Sequence, residues 1–208
     1  MVGPSPIPFP PSIQDIAGVK DKHTLRTRMR ARRQSHVESL PQATRALLFL
    51  RPPAPLVQLL PEKGMVGLYH ARGAEAPTRA YARWLVENGR EIALPWFADR
   101  AAPMRFRQWR DPFAETGLVD GPYGLQPEPD APEVVPPVLV VPLLGFTARG
   151  RRLGQGGGHY DRWLAEHPGT VAIGLAWDAQ KMDDLLVEPH DQPLQAVVTP
   201  TRFWRIED

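Results

Sequence analysis

Within residues 154–158 stand four glycines, Gly154, Gly156, Gly157 and Gly158, preceded by Arg149, Arg151 and Arg152 and followed by His159, Tyr160 and Asp161. Residues of these types at this spacing suit the holding of an anion. Glycine permits positive φ and close approach of backbone N–H groups, and a helix starting just after the loop adds the positive end of its dipole. Arginine supplies forked donors that match phosphate oxygens. Asp161, one turn into that helix, is placed for Mg²⁺. The alternative is a tight turn between a core strand and a surface helix, with the arginines merely solvated. The spacing is not G-x-x-x-x-G-K-[ST], which excludes a Walker A loop. No G-x-G-x-x-G/A with a suitably distant acidic residue marks a dinucleotide site either.

The elements that must position this loop are legible around it. Val138, Leu139, Val140 and Val141, stopped by Pro142, form an apolar, β-branched run that predicts a fully buried strand. HYDRWLAEH after the loop is helix-compatible, with Trp163 and Leu164 apolar. Further upstream, Met65–Tyr69 predicts a first strand, Thr78–Glu87 an amphipathic helix ended by Asn88 and Gly89, and Glu91–Pro95 a second strand. Such a strand–helix–strand unit implies parallel pairing with a right-handed crossover. Residues 41–60 predict one or two short helices broken at Pro52 and Pro53. Met104–Trp109 alternates as a half-buried strand, and Val171–Trp177 and Ala196–Thr199 read as later strands. Gly121–Pro129 reads as a loop, and the acidic, proline-rich stretch Glu128–Pro137 as a link to the central strand.

The chain of 208 residues suits one well-buried domain. It has no cysteine, which removes disulfides, thiolate metal sites and a cysteine nucleophile together and fits a cytoplasmic protein. There is no apolar run of membrane-spanning length and no secretory pattern at the start. The 25 prolines cluster at segment edges and act as punctuation. Residues 1–12 are proline-dense and are expected to be a disordered or polyproline-like arm, with a single domain over residues 13–208. From Ile13 to Val37 the pattern turns helical. Residues 1–33 carry seven basic side chains against two acidic ones, a balance of +5, so the rest of the chain sums to −3. A basic helix on a mildly acidic body faces something anionic, either nucleic acid or a smaller polyanion such as a nucleotide.

The string RLGQGGGHYDRWL resembles the signature R-L-G-x-G-G-G-x-Y-D-R of the 5-formyltetrahydrofolate cyclo-ligases. Four further stretches resemble that family in the same order, so that the likeness runs from Lys22 to Thr199. Lys22 and Arg26, four apart on one helix face, match K-x-x-L-R. Tyr69, Glu75 and Thr78 match Y-x-P-x-x-x-E-x-x-T, with Ala71 where proline is usual. GPYGLQPEP is similar to a loop ending G-I-x-E-P, and Glu188 to Thr199 follows E-x-H-D-x-x-L-D-x-V-V-T with Gln195 in place of aspartate.

The resemblance implies ATP-dependent cyclisation of 5-formyltetrahydrofolate to 5,10-methenyltetrahydrofolate, releasing ADP and phosphate. It implies an ATP site built from Lys22, Arg26, Arg152, Leu153, Gly154, Gln155, Gly156, Gly157, Gly158, His159 and Tyr160. Arg152 and Tyr160 would act in catalysis, and Asp161 and Asp191 would bind Mg²⁺. Glu75, Tyr69 and Tyr123 would contact the folate. Taken without the family, Glu75 is equally an acidic residue stabilising a helix N-terminus, and Tyr123 a buttress in a Gly-Pro turn. His190 reads as structural, and Arg28, Arg30, Arg32 and Arg33 as surface or helix-packing residues. His159 departs from the tyrosine frequent at its position; if it faces phosphate, protonation strengthens nucleotide binding.

The fold implied is an α/β, Rossmann-like three-layer α/β/α sandwich with a mostly parallel sheet, of the NagB/RpiA/CoA-transferase type, with the site at the strands' carboxyl ends. The expected setting is a cytoplasmic monomer acting on a small, possibly polyglutamylated folate, with no nucleic acid or membrane partner. Two rival readings are an ATP-independent sugar-phosphate isomerase-like enzyme and a nucleic-acid-binding module using the basic helix. The second lacks any reader motif or interleaved aromatics among its arginines.

Overall fold

The computed structural model describes residues 21–206; the arm expected over residues 1–12, and the helical start expected from residue 13, lie outside them. Helix α1 (Lys22–Ser39) is capped by Asp21, whose carboxylate accepts the N–H groups of His23 and Thr24. It buries Leu25, Met29, Arg33 and Val37, a stripe at four-residue spacing. Helices α2 (Gln42–Leu47) and α3 (Ala54–Val57) follow, divided at the expected Pro52–Pro53 break. Strand β1 (Met65–Gly67), helix α4 (Arg79–Glu87) and strand β2 (Glu91–Trp96) form the strand–helix–strand unit, and β1 and β2 pair in parallel.

Strand β3 (Arg105–Trp109) turns back antiparallel on β2. The stretch expected as a loop is a hairpin, β4 (Leu118–Gly121) and β5 (Gly124–Pro127), closed by Pro122 and Tyr123 with Gly124 at φ 118°. The expected link contains a two-residue strand, β6 (Glu133–Val134), before the central β7 (Val138–Pro142). Short strands β8 (Gly145–Thr147) and β9 (Arg152–Leu153) carry the chain into the glycine loop and helix α5 (His159–Glu166). Strand β10 (Val171–Leu175), a 3₁₀ turn at Asp178–Gln180, β11 (Lys181–Met182), β12 (Ala196–Val198) and β13 (Phe203–Arg205) complete it.

The main sheet has the order β13-β12-β10-β7-β1-β2-β3-β6. The run β12, β10, β7, β1, β2 is parallel throughout, with antiparallel β13 and β3 on its flanks. Alternation along β7 shows why it is apolar without a break. Val138 and Val140 join one core with Leu56, Tyr81 and Leu85, while Leu139 and Val141 join another with Trp163 and Leu164. Helices α3 and α4 therefore cover one face and α5 the other, the three layers expected. A smaller core of Leu25, Met29, Leu144, Leu153, Met182 and Leu185 seats α1 on the little sheet of β8, β9 and β11. From β1 the chain moves outward to β2, and from β7 it moves the other way to β10 and β12. The strand order thus reverses between β1 and β7, where open α/β sheets leave a crevice at their carboxyl ends.

Candidate active site

A cleft of about 790 Å³ opens at that reversal point. Tyr69 and His70 follow β1, Pro95 and Phe97 end β2, and Pro142 ends β7; all line it, and the glycine loop forms the opposite wall. The loop's shape depends on glycine at two places. Gly158 takes φ 63° at the start of α5, and Gly156 sits at φ 111°. Among the described residues no side chain caps α5, and its first residues, Gly158, His159 and Tyr160, line the cleft, an arrangement that suits an anion.

Helix α1 fastens this loop from the other side. Arg26 Nε donates to the Gly154 carbonyl at 3.2 Å. Arg30, one turn on, donates to both the side-chain and backbone oxygens of Gln155 at 3.2 Å each. Arg30 was expected on the surface with no site role; the structure uses it as a loop anchor, because the face that carries Lys22 and Arg26 continues through it.

Arg152 is buried on β9. Its Nη2 lies 2.5 Å from Asp161 Oδ1, and its Nη1 donates to the Gln192 carbonyl. The same Asp161 oxygen accepts the Gln192 N–H at 3.0 Å. Burial lowers the Arg152 pKa, and the charges of Asp161 and Asp191 oppose that shift. Lys22 Nζ, at the start of α1, lies 2.6 Å from Glu188 and 2.7 Å from Asp191. Burial disfavours the ammonium, but the two carboxylates outweigh it and leave the Lys22 pKa raised. Asp191 is lowered on balance: burial pushes it up, while the Glu188 N–H and Lys22 pull it down further.

The resemblance pairs Asp161 with Asp191 on a metal. In the structure Asp161 pairs with Arg152, and Asp191 stands with Glu188 and His190, one ligand atom from each lying within 4.8 Å of the others. Glu188 and His190 were not chosen as site residues, although they sit in the same short string as Asp191.

The wall beneath β1 holds Glu75. Its Oε2 accepts the Arg72 N–H at 2.9 Å, and its Oε1 accepts Gln155 Nε2 at 3.3 Å. Tyr69 and Thr78, which share its motif, fasten the loop that presents it: Tyr69 donates to the Ala76 carbonyl at 2.6 Å, and Thr78 Oγ1 to the Tyr69 carbonyl at 2.5 Å. Trp177 Nε1 adds a bond to Ala74 O at 2.9 Å. The Tyr69 hydroxyl is thus committed to the backbone, and what the residue offers the cleft is its ring. Tyr160, half-buried at the start of α5, has its pKa pushed up first by burial and then by Glu75, so it stays a protonated donor.

Tyr123 meets Phe97 at 4.6 Å and His159 at 4.9 Å between ring centres, and Phe97 meets His159 at 4.9 Å. This trio gives the cleft an aromatic end on which a flat ring can stack. His159, expected at the phosphate, belongs to this end. Arg162 donates to its Nδ1 at 3.2 Å, and burial followed by Arg162 lowers its pKa below the ordinary 6.5. Phe97 and the buried Arg33 also line the cleft, and neither stands in a motif that marks it as a site residue.

Every residue that the resemblance assigns to the site lines this one cleft; of the three arginines before the glycine loop only Arg152 does, and Arg151 donates instead to Asp184 and the Leu185 carbonyl. An open α/β sheet with an arginine-backed glycine loop, a carboxylate cluster and an aromatic platform at its switch point defines an α/β scaffold whose cleft suits an anionic ligand. The model of the 5-formyltetrahydrofolate cyclo-ligase family matches residues 19–200, and the chain belongs to that family.

A 5-formyltetrahydrofolate cyclo-ligase of Escherichia coli (strain K12) is 45% identical over 85 residues, which cover 38% of this chain and 47% of that protein. The match thus spans about half the length of that relative. One from Mycolicibacterium smegmatis is 33% identical over 138 residues, 62% of this chain and 70% of that protein. Among solved structures, the 5,10-methenyltetrahydrofolate synthetase of Mycoplasma pneumoniae superposes with TM-score 0.61 at 21% identity, covering 85% of this chain and 97% of that one. The Aquifex aeolicus synthetase gives 0.59 at 21%, covering 94% and 89%. These two share the fold. Among the described residues no helix is long and apolar enough to cross a membrane.

Proposed function

We propose that the protein uses ATP to close 5-formyltetrahydrofolate to 5,10-methenyltetrahydrofolate, releasing ADP and phosphate. The observation that carries this reading is the convergence of five separated sequence motifs on one cleft whose two ends differ in chemistry. One end is cationic and glycine-rich and suits a triphosphate; the other is aromatic with an acceptor carboxylate and suits a pterin.

A formamide oxygen is a poor leaving group. In the proposed reaction the formyl oxygen attacks the γ-phosphorus and the bond to ADP breaks. N10 then attacks the formyl carbon, the carbon–oxygen bond breaks to release phosphate, and N10 loses its proton. The protein's task is alignment and charge neutralisation. Lys22, Arg26, Arg152 and the N–H groups of residues 154–158 hold the phosphates, with Leu153 and Gln155 shaping the loop. Tyr160 donates to an oxygen that gains charge. Glu75 holds the pterin edge, while the Tyr123 and Tyr69 rings bound it.

The donor set also fits Mg²⁺. Asp191 and Glu188 offer two carboxylates, and the Lys22 ammonium already lies between them as a cation would. Mg²⁺ characteristically takes one or two carboxylates together with phosphate oxygens. Held by Asp191 and Glu188, it would neutralise charge on the phosphates. Asp161 serves in this reading as the group that orients Arg152. The proposed setting is a cytoplasmic monomer that acts on folate with or without a polyglutamate tail.

Purified protein with 5-formyltetrahydrofolate, Mg²⁺ and ATP should give the near-ultraviolet absorbance rise of the methenyl product. A rise that persists without ATP, or no rise at all, would overturn the proposal.

A further inference from the structure

Arg33 is 8% exposed, lines the cleft, and has a buried Nε with no hydrogen-bond partner among the described residues. Among the described residues its one hydrogen bond is long, from Nη1 to Leu143 O at 3.4 Å. That carbonyl is already served by Gln180 Nε2 at 2.7 Å, so Arg33 is not needed to satisfy it. A guanidinium held this far out of water with donors to spare is costly unless something completes it.

Its place says what that something is. Leu143 lies just past the end of β7 and Tyr69 just past the end of β1, so Arg33 sits over the crevice where the strand order reverses. Three residues earlier on α1, Arg30 grips Gln155, whose amide reaches Glu75. Arg33 is itself within electrostatic reach of Glu75 and Tyr69. A buried cationic donor therefore accompanies the acceptor carboxylate on one wall.

The pteridine of a folate presents on one edge an exocyclic amine, a ring N–H and a 4-carbonyl: two donors and an acceptor. Glu75 has one partner on each oxygen and room for two more donors. It has nothing to give the carbonyl. Tyr69 cannot, because its hydroxyl is committed to Ala76. We infer that Arg33 donates to the 4-carbonyl and, paired with Glu75, selects 4-oxo over 4-amino pteridines. A 4-amino analogue turns the carbonyl into a donor and strips the ring nitrogen of its proton, so it meets Arg33 with a donor and Glu75 with an acceptor. This rests on the folate reading given above.

The test measures equilibrium binding of 5-formyltetrahydrofolate and of its 4-amino-4-deoxy analogue to the wild-type protein and to Arg33→Gln and Arg33→Lys, with ATP binding as a control. Wild type should prefer the 4-oxo ligand by about 100-fold or more. Arg33→Gln should lose about 10- to 100-fold in affinity for the 4-oxo ligand. Affinity for the 4-amino ligand should change less than about threefold, with ATP binding intact. Arg33→Lys keeps the charge and most of the packing, and should lose the preference in part if Arg33→Gln does not fold. Equal weakening toward both ligands, or an unchanged preference in Arg33→Lys and Arg33→Gln, would overturn the inference alone. If wild type binds neither pteridine, the folate reading and this inference fall together.

Discussion

Asp161 Oδ1 accepts the Arg152 guanidinium at 2.5 Å and the Gln192 N–H at 3.0 Å on a single oxygen. That oxygen joins the start of α5, strand β9 and the segment just after Asp191. Replacing Asp161 with Asn would leave the Arg152 charge buried without its counter-ion. Breaking a buried pair from one side typically destabilises by about 3–5 kcal/mol. Because Asp161 keeps some contact with water, the expected loss is on the order of 3 kcal/mol. A urea melt of Asp161→Asn should show it, together with a fall in kcat that substrate does not rescue. An unchanged melt would mean that Arg152 finds water instead.

Gly156 stands at φ 111°, which L side chains rarely adopt, and a Cβ there would lie 3.4 Å from Arg26 Nε. The strain of Gly156→Ala, about 1–3 kcal/mol, should be relieved by moving the loop. ATP affinity should fall about tenfold, while folate affinity is held. Isothermal titration with each ligand separates the two, and equal loss of both would refute a phosphate role for the loop.

Much of this site could be read from residue order, and the remainder could not for identifiable reasons. Val138–Val141 is buried on both faces, so its apolar run announces a central strand. The glycine string likewise marks its loop, because few side chains tolerate that backbone. The hairpin at Gly121–Gly124 was read as a loop, since its strands are short and proline-edged. Strand β13 has three residues between Arg202 and Ile206 and carries no alternation long enough to detect. Arg33 lies eleven residues after Lys22, three helical turns on, and so on the same face. Charge alone did not distinguish it from the solvated arginines around it; burial did.

His159 packs against Phe97 and Tyr123 and accepts from Arg162, so the structure reverses the pH effect expected of a phosphate-facing histidine. Its folded pKa lies below the ordinary 6.5, chiefly from burial. Protonation is therefore resisted in the folded state, and stability falls as pH drops below 6.5 toward the folded value. Charging the ring also breaks the Arg162 contact and disturbs the aromatic end. Folate affinity should weaken on acidification in wild type and be flatter with pH in His159→Phe. Strengthened ATP binding on acidification would restore the phosphate-facing role.

Lys22 pairs with both Glu188 and Asp191, and a metal–nucleotide complex would compete for the same carboxylates. Both carboxyl pKa values are lowered from their ordinary 4.5 and 3.8. A depressed carboxyl stabilises the fold above its unfolded pKa, and that stability is lost as pH falls through its folded value. The pair's contribution should be complete above about pH 5 and lost progressively below pH 4. Lys22→Met removes the cation that lowers them, so its stability should fall less steeply across that window. It also removes a phosphate contact, and KM for ATP should rise about tenfold at neutral pH. Raising Mg²⁺ should recover part of that loss, because the freed Glu188 and Asp191 then take the metal in place of the ammonium. Acid melts and an ATP titration at two Mg²⁺ concentrations check both arms. If KM is insensitive to Mg²⁺ in both the variant and wild type, the carboxylate pair is not the metal's site.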